Sequence, residues 1–223
     1  SGANLVKGGR LEDPTAWQTF TVENTQGGLP NDWVYGLDLG KNGEVWFATE
    51  GGLSRFQDNQ WASWNHKNGQ GAEYELVKGD NTFKSDPAKV SSHHARQKIE
   101  MGLQNVDTAY NPNYIVALEV DTDGIVWAGT WGAGLARFDG ENFINYTVKD
   151  GLPSNHIFML HQDKNGILWV GTSNGITRLV EGKFSNRFTT HDGLFSNTVF
   201  SMDIQQDKTL WIGSFGGVSR INM

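Results

Sequence analysis

Along most of this chain apolar residues alternate with small or polar ones in short runs, as half-buried strands require. Four such runs, 34–39, 115–120, 157–162 and 199–204, each predict a first strand. A polar turn follows each: Lys41-Asn42-Gly43, Thr122-Asp123-Gly124, Lys164-Asn165-Gly166 and Gln206-Asp207-Lys208. Asn-Gly and Asp-Gly supply the positive φ angles of tight hairpins, so each turn predicts a return strand. That second strand carries a tryptophan, and a glycine-rich turn then leads to a third strand ending in arginine. The pairs are Trp46 with Arg55, Trp127 with Arg137, Trp169 with Arg178 and Trp211 with Arg220. Short aromatic runs at 61–64, 143–146 and 184–188 predict a fourth strand.

The unit recurs. Trp127, Trp169 and Trp211 are 42 residues apart, and Trp46 precedes Trp127 by 81. Self-similarity at 40 to 50 residues marks a repeat architecture, and four antiparallel strands per unit make a propeller blade. Nine residues before each tryptophan stand Leu37, Leu118, Leu160 and Met202, all large and apolar. So small a unit cannot bury both faces alone, which assigns these leucines and tryptophans to packing between blades. The expected fold is an all-β propeller of four-stranded antiparallel blades with four repeats, at about 29–64, 111–146, 152–188 and 194–223. The last repeat lacks a fourth strand, and residues 17–22 resemble a spare one, so the N-terminal strand is expected to close the ring as a single domain. Four repeats permit two architectures: a self-closed four-bladed ring, or a homodimer sharing an eight-bladed ring. Sequence does not choose between them.

The first gap between tryptophans exceeds one period because residues 66–110 form an insertion. Within it Asp86 and Pro87 predict a helix start and Gly102 a stop, giving a helix over about 87–101. Ala88, Ser92, Ala95 and Ile99 share one weakly apolar face of that helix, the face expected to dock. The insertion falls in a link between blades and projects from the rim at the channel mouth.

Composition narrows the function. Lys and Arg number 18 against 25 Asp and Glu, for a net charge of −7 with no basic run. This disfavours nucleic-acid binding, which rests on phosphate neutralisation. No apolar run reaches membrane-spanning length. The chain has no cysteine, hence no disulfide or thiolate metal site. A first residue of Ser rather than Met is expected of a processed or trimmed protein.

The pattern Asp-x-x-Gly-x-x-Trp-x-Gly-Thr, followed by Gly-Gly-Leu-x-Arg-Phe, resembles the two-component-regulator propeller repeat. Asp121 to Phe138 is the copy nearest that pattern. Asp150-Gly151-Leu152-Pro153-Ser154-Asn155 resembles the family's between-blade signature, as do Gly28-Leu29-Pro30-Asn31 and Asp192-Gly193-Leu194-Phe195-Ser196-Asn197. The resemblance implies a propeller from a bacterial periplasmic or otherwise extracytoplasmic compartment, serving in the sensor portion of hybrid histidine kinases. Two departures are the insertion and the small number of repeats.

A ring of near-identical units specialises where its repeats diverge. Thirteen residues before each tryptophan, at the insertion-bearing rim, stand Trp33, Tyr114, His156 and Thr198. The turns between second and third strands add Glu50, Trp131, Asn174 and Phe215. Aromatic faces with a few polar groups suit a small molecule, a glycan or a peptide, and these eight are the candidate ligand-binding residues. The plain alternative is that they plug the channel mouth.

No cofactor, metal site or catalytic residue is expected. His93 and His94 are adjacent and would point about 100° apart on a helix, which disfavours a shared metal. Lys41 and Lys164 stand where calcium loops would need acids. Gly-x-Ser-x-Gly, phosphate-loop and His-Glu-x-x-His motifs are all missing. The chain is therefore expected to be a non-catalytic sensory binding module, with a signalling protein as partner. Two alternatives stay open. One is a protein-interaction scaffold. The other follows from a second resemblance, to the streptogramin lyases, in which His156 with Glu50 would supply a base and its partner.

Overall fold

The computed structural model describes residues 2–206 and 208–222, so the turn 206–208 lies partly outside the described residues. The chain forms antiparallel sheets in series. After an N-terminal hairpin of β1 (Ala3–Val6) and β2 (Trp17–Phe20), the first sheet holds β3 (Val34–Leu39), β4 (Val45–Thr49), β5 (Gly52–Gln57) and β6 (Gln60–Trp64). Next come one turn of helix, α1 (Tyr74–Val77), and α2 (Ser92–Glu100), both in the insertion. The second sheet is β7 (Asn111–Val120), β8 (Val126–Trp131), β9 (Leu135–Phe138) and β10 (Phe143–Tyr146). The third is β11 (Ile157–Gln162), β12 (Leu168–Thr172), β13 (Gly175–Val180) and β14 (Lys183–Phe188). The last has three strands, β15 (Val199–Ile204), β16 (Thr209–Ser214) and β17 (Gly217–Asn222).

One interface recurs three times. The tryptophan strand of each sheet packs on the inner strands of the next: Trp46 and Leu53 against Ile115 and Ala128, Trp127 and Leu135 against Ile157 and Leu160, Trp169 and Ile176 against Val199 and Ile212. Carboxylates stitch the same seam. Asp38 Oδ2 accepts from Val120 N at 2.7 Å, and Glu119 Oε1 from Gln162 N at 2.8 Å, each reaching one sheet forward. Each repeated arginine lies over the tryptophan of its own sheet, 5.3 to 5.9 Å from the ring centre, rather than bridging to a neighbour.

The series is open at both ends. Leu37 and Leu39 are 62% and 66% exposed, although their counterparts Leu118 and Val120 pack on the preceding sheet. Trp211 is 41% exposed, whereas Trp46, Trp127 and Trp169 are buried. Asp203 Oδ1 accepts from Ile204 N at 2.8 Å, the same local bond that Asp38 Oδ1 takes from Leu39 N.

The strand at 17–22, expected to complete the last sheet, instead pairs with Ala3–Val6, which the sequence reading had not assigned. The reason lies in how these residues sit. Gly2 N donates to Asp32 O at 2.7 Å, as Gly134 and Gly175 donate to Asn155 and Asn197 in the second and third sheets. Residues 2–6 thus occupy a third-strand position and Trp17–Phe20 a fourth. Phe20 then packs tilted against Phe56 and edge-on against Trp61, each at 5.3 Å, covering the outer part of the first sheet.

Candidate functional site

The repeat motif explains itself in atoms. Asp121 Oδ1 accepts from the backbone of Asp123 and Ile125, holding the hairpin turn, while Oδ2 accepts from the Trp127 indole at 2.8 Å. Asp163 does the same for Asn165, Ile167 and Trp169. In the first sheet Gly40 replaces this aspartate, and the buried Nε1 of Trp46 has no partner.

The links between sheets repeat as well. After each fourth strand the backbone makes one 3-10 turn with a reciprocal capping box: Asn65 with Asn68, Thr147 with Asp150, Thr189 with Asp192. A glycine at φ of 100 to 107° ends each turn, a left-handed conformation costly for other residues. The next residue is a buried leucine, Leu152 or Leu194, but in the first link it is Gln70. Gln70 accepts from Leu53 N and donates to Pro112 O at 2.8 Å, pinning the point where the insertion departs. The structural departure therefore begins after Gln70, several residues later than position 66.

The base of the insertion is apolar: Val77, Tyr110, Ala72 and Ala133 are buried together, with Leu103 and Val106 against them. Its tip is polar. Asp86 caps a 3-10 turn at Pro87–Lys89, and α2 starts only at Ser92, shorter than the helix expected over 87–101. Gly102 follows its end. The expected docking face is not the one used: Ile99 is 63% exposed. The helix docks through His93, His94 and Gln97 instead, because they find a carboxylate.

That carboxylate is Glu50, at the turn after β4, whose side chain is wholly buried. Oε2 accepts from His93 Nε2 at 2.7 Å and Gln97 Nε2 at 3.1 Å; Oε1 accepts from His94 Nε2 at 3.1 Å and from the Tyr35 hydroxyl. A carboxylate can only accept, so both histidines present a protonated Nε2. Burial and this bond push the Tyr35 phenol well above its ordinary range. Aromatic rings wall the group. Trp33 stacks on His93 at 5.5 Å and Tyr114 on His94 at 5.8 Å, while Trp131 stacks on Tyr114 at 5.4 Å. A void of about 10 Å³ remains between His94, Tyr114 and Trp131, the lower limit for one water.

His156 closes the row edge-on to Trp131, with Phe83 of the insertion over both. Its Nε2 donates to Ala109 O at 2.8 Å, and burial pushes its pKa down to about 4. It is neutral and covered, and it makes no bond to Glu50, so the pairing of base and partner is not assembled. Below this row Lys98 and Asp86 form a buried ion pair at 2.8 Å.

Five of the eight candidate residues, Trp33, Glu50, Tyr114, Trp131 and His156, thus meet under the insertion. Asn174, Thr198 and Phe215 do not. Asn174 bonds Pro153 O and Arg187, Thr198 O accepts from Phe215 N, and the Phe215 ring is exposed. Sequence reasoning missed His93, His94, Gln97 and Tyr35, since nothing local marks an insertion's docking face. Among the described residues no group of three or more His, Asp or Glu is arranged to hold a metal.

Residues 109–132 and 151–174, which carry the rim positions Tyr114, Trp131, His156 and Asn174, match the family described as two component regulator propeller. These segments are regulator propeller repeats. The fold around the regulator propeller repeats is similar to the extracellular domain of a hybrid two component system from B. thetaiotaomicron, BT3049, at 20% identity and a TM-score of 0.63. That likeness covers 92% of this chain and 23% of the other. A second such domain, BT4673 from the same organism, matches at 19% identity and TM-score 0.60, covering 93% of this chain and 23% of that one. Virginiamycin B lyase from Staphylococcus aureus, crystallised with quinupristin, matches at 15% and TM-score 0.50, covering 86% and 56%. The chain spans about a quarter of the length of the first two, and at these identities the likeness is one of fold. No curated protein sequence matches. No helix among the described residues is long and apolar enough to cross a membrane.

Proposed function

We propose that this chain is a recognition segment of a sensory propeller acting outside the cytoplasm, with its ligand site at the insertion-bearing rim. One observation carries the reading: residues that diverge between repeats, Trp33, Glu50, Tyr114, Trp131 and His156, converge under a segment seated by polar contacts. A rim that served only to plug a channel would be filled with apolar side chains, not organised around a buried carboxylate. The repeat family and the fold support an extracytoplasmic sensory role, and a signalling protein is the partner such a role requires. The repeats read as four-stranded blades, with β15–β17 a blade lacking its outer strand.

Amide exchange over residues 71–109, followed while small molecules, glycans and peptides are added, tests the reading. A ligand of the rim changes exchange there saturably, is recovered chemically unaltered, and is bound at least roughly tenfold more weakly by Trp131→Ala. A partner protein that protects the rim while no small molecule does would favour the scaffold reading. Turnover of a bound compound would favour an enzyme.

A further inference from the structure

The surroundings of Glu50 are those of a filled binding site. Among the described residues, every hydrogen-bond donor to its carboxylate apart from Tyr35 comes from the insertion, and neither lysine nor arginine is among them. An ionised carboxylate removed from water is costly unless hydrogen-bonded and neutralised, so the rim requires a cationic or strongly donating guest. Without α2, the sheets present a basin of Trp33, Tyr35, Tyr114 and Trp131 around one acid. Aromatic faces flanking a carboxylate are the chemistry that selects organic cations.

The present occupants fit that description and fit it imperfectly. The imidazoles of His93 and His94 lie nearly parallel to Trp33 and Tyr114, at 20° and 29°, while pointing Nε2 at the acid. Yet His94 Nδ1 and Trp131 Nε1 are buried without partners beside the small void. Nor does the helix bury an apolar face to hold itself there, since its one large aliphatic residue, Ile99, is exposed. The insertion is anchored by its apolar base and by Phe83 on Trp131, His156 and Phe158, so the helix itself is held over the basin by its contacts to Glu50 and the flanking rings.

We infer that the rim is a site for a planar organic cation, an imidazolium or guanidinium group of a small molecule or peptide, which the insertion occupies with His93 and His94 until a ligand displaces them. The inference rests on the recognition reading above and names its ligand class. Displacement exchanges one set of charge-assisted hydrogen bonds for another. No covalent step is involved.

Imidazole is the probe, at about pH 6 where it is largely cationic. In the double variant His93→Ala/His94→Ala, imidazole is expected to bind saturably, raise the thermal midpoint and quench or shift tryptophan fluorescence. Wild type should need at least roughly tenfold more imidazole, and adding Glu50→Gln to the double variant should weaken binding by a similar factor. A folded double variant indifferent to imidazole and to methylguanidinium, or an equal response with Glu50→Gln present, overturns the assignment. Should the double variant not fold, wild type answers instead: imidazole must speed amide exchange over Ser92–Glu100, and unchanged exchange overturns it. A neutral glycan bound in a Trp131-dependent way while imidazole does nothing would keep the rim as a recognition site and sink only the cation.

Discussion

Single side chains in this protein do work that the repeat pattern only outlines. Asp163 satisfies two backbone donors and one indole, so Asp163→Ala should cost about 2–3 kcal/mol, while Asp163→Asn should cost less. Urea titrations of the two variants check this. His156 titrates in the opposite sense to a paired histidine. Its folded pKa lies near 4 against an ordinary 6.5, so the folded state binds fewer protons between those values. Its contribution is complete above about pH 6.5, falls as the pH drops towards 4, and amounts to about 3 kcal/mol. His156→Gln should flatten that limb of the thermal midpoint against pH. Glu119 runs the other way: burial raises it to about 7, with Asp38 and Asp121 adding to the effect. Its contribution is present below 4.5 and lost as pH rises through 7, so Glu119→Gln should remove a loss of stability over that range.

At the scale of elements, strands were legible in the sequence because their period of two and their Asn-Gly or Asp-Gly turns are local signals. The first strands at 34–39, 157–162 and 199–204 coincide with β3, β11 and β15. Ala3–Val6 was not legible, being short and without a turn pair to announce it. The docking face of α2 was misread for a physical reason: an apolar stripe predicts burial against an apolar surface, whereas this helix meets a buried acid. Glu50→Ala should therefore release the helix tip while leaving the sheets folded. Proteases should then cut between residues 78 and 106 at least roughly tenfold faster, with the far-ultraviolet circular dichroism of the sheets retained.

The whole molecule is a series with two unlike uncovered ends. Leu37 and Leu39 at one end, and Trp211 at the other, are the two halves of the interface that recurs three times inside the chain. Heterologous halves of this kind join head to tail. Sedimentation velocity should show association growing with concentration, and Trp211→Asp and Leu37→Asp should each suppress it. The likeness of residues 17–22 to a fourth strand was legible in the sequence, but the third-strand position of Ala3–Val6 was not, because its clue is a backbone bond from Gly2 to Asp32, not a residue type.

The insertion crosses more than the sheet it leaves. Its tip holds Glu50 of the first sheet and stacks on Tyr114 of the second, while Phe83 lies on Trp131 of the second and His156 and Phe158 of the third. It is a splint laid across three sheets, with the last sheet outside its span. Lifting it would remove one set of contacts spanning those three, while leaving the packed seams between them and their individual ladders intact. Chemical occupancy at one carboxylate would then loosen a brace spanning three sheets, a mechanical change felt well away from the ligand.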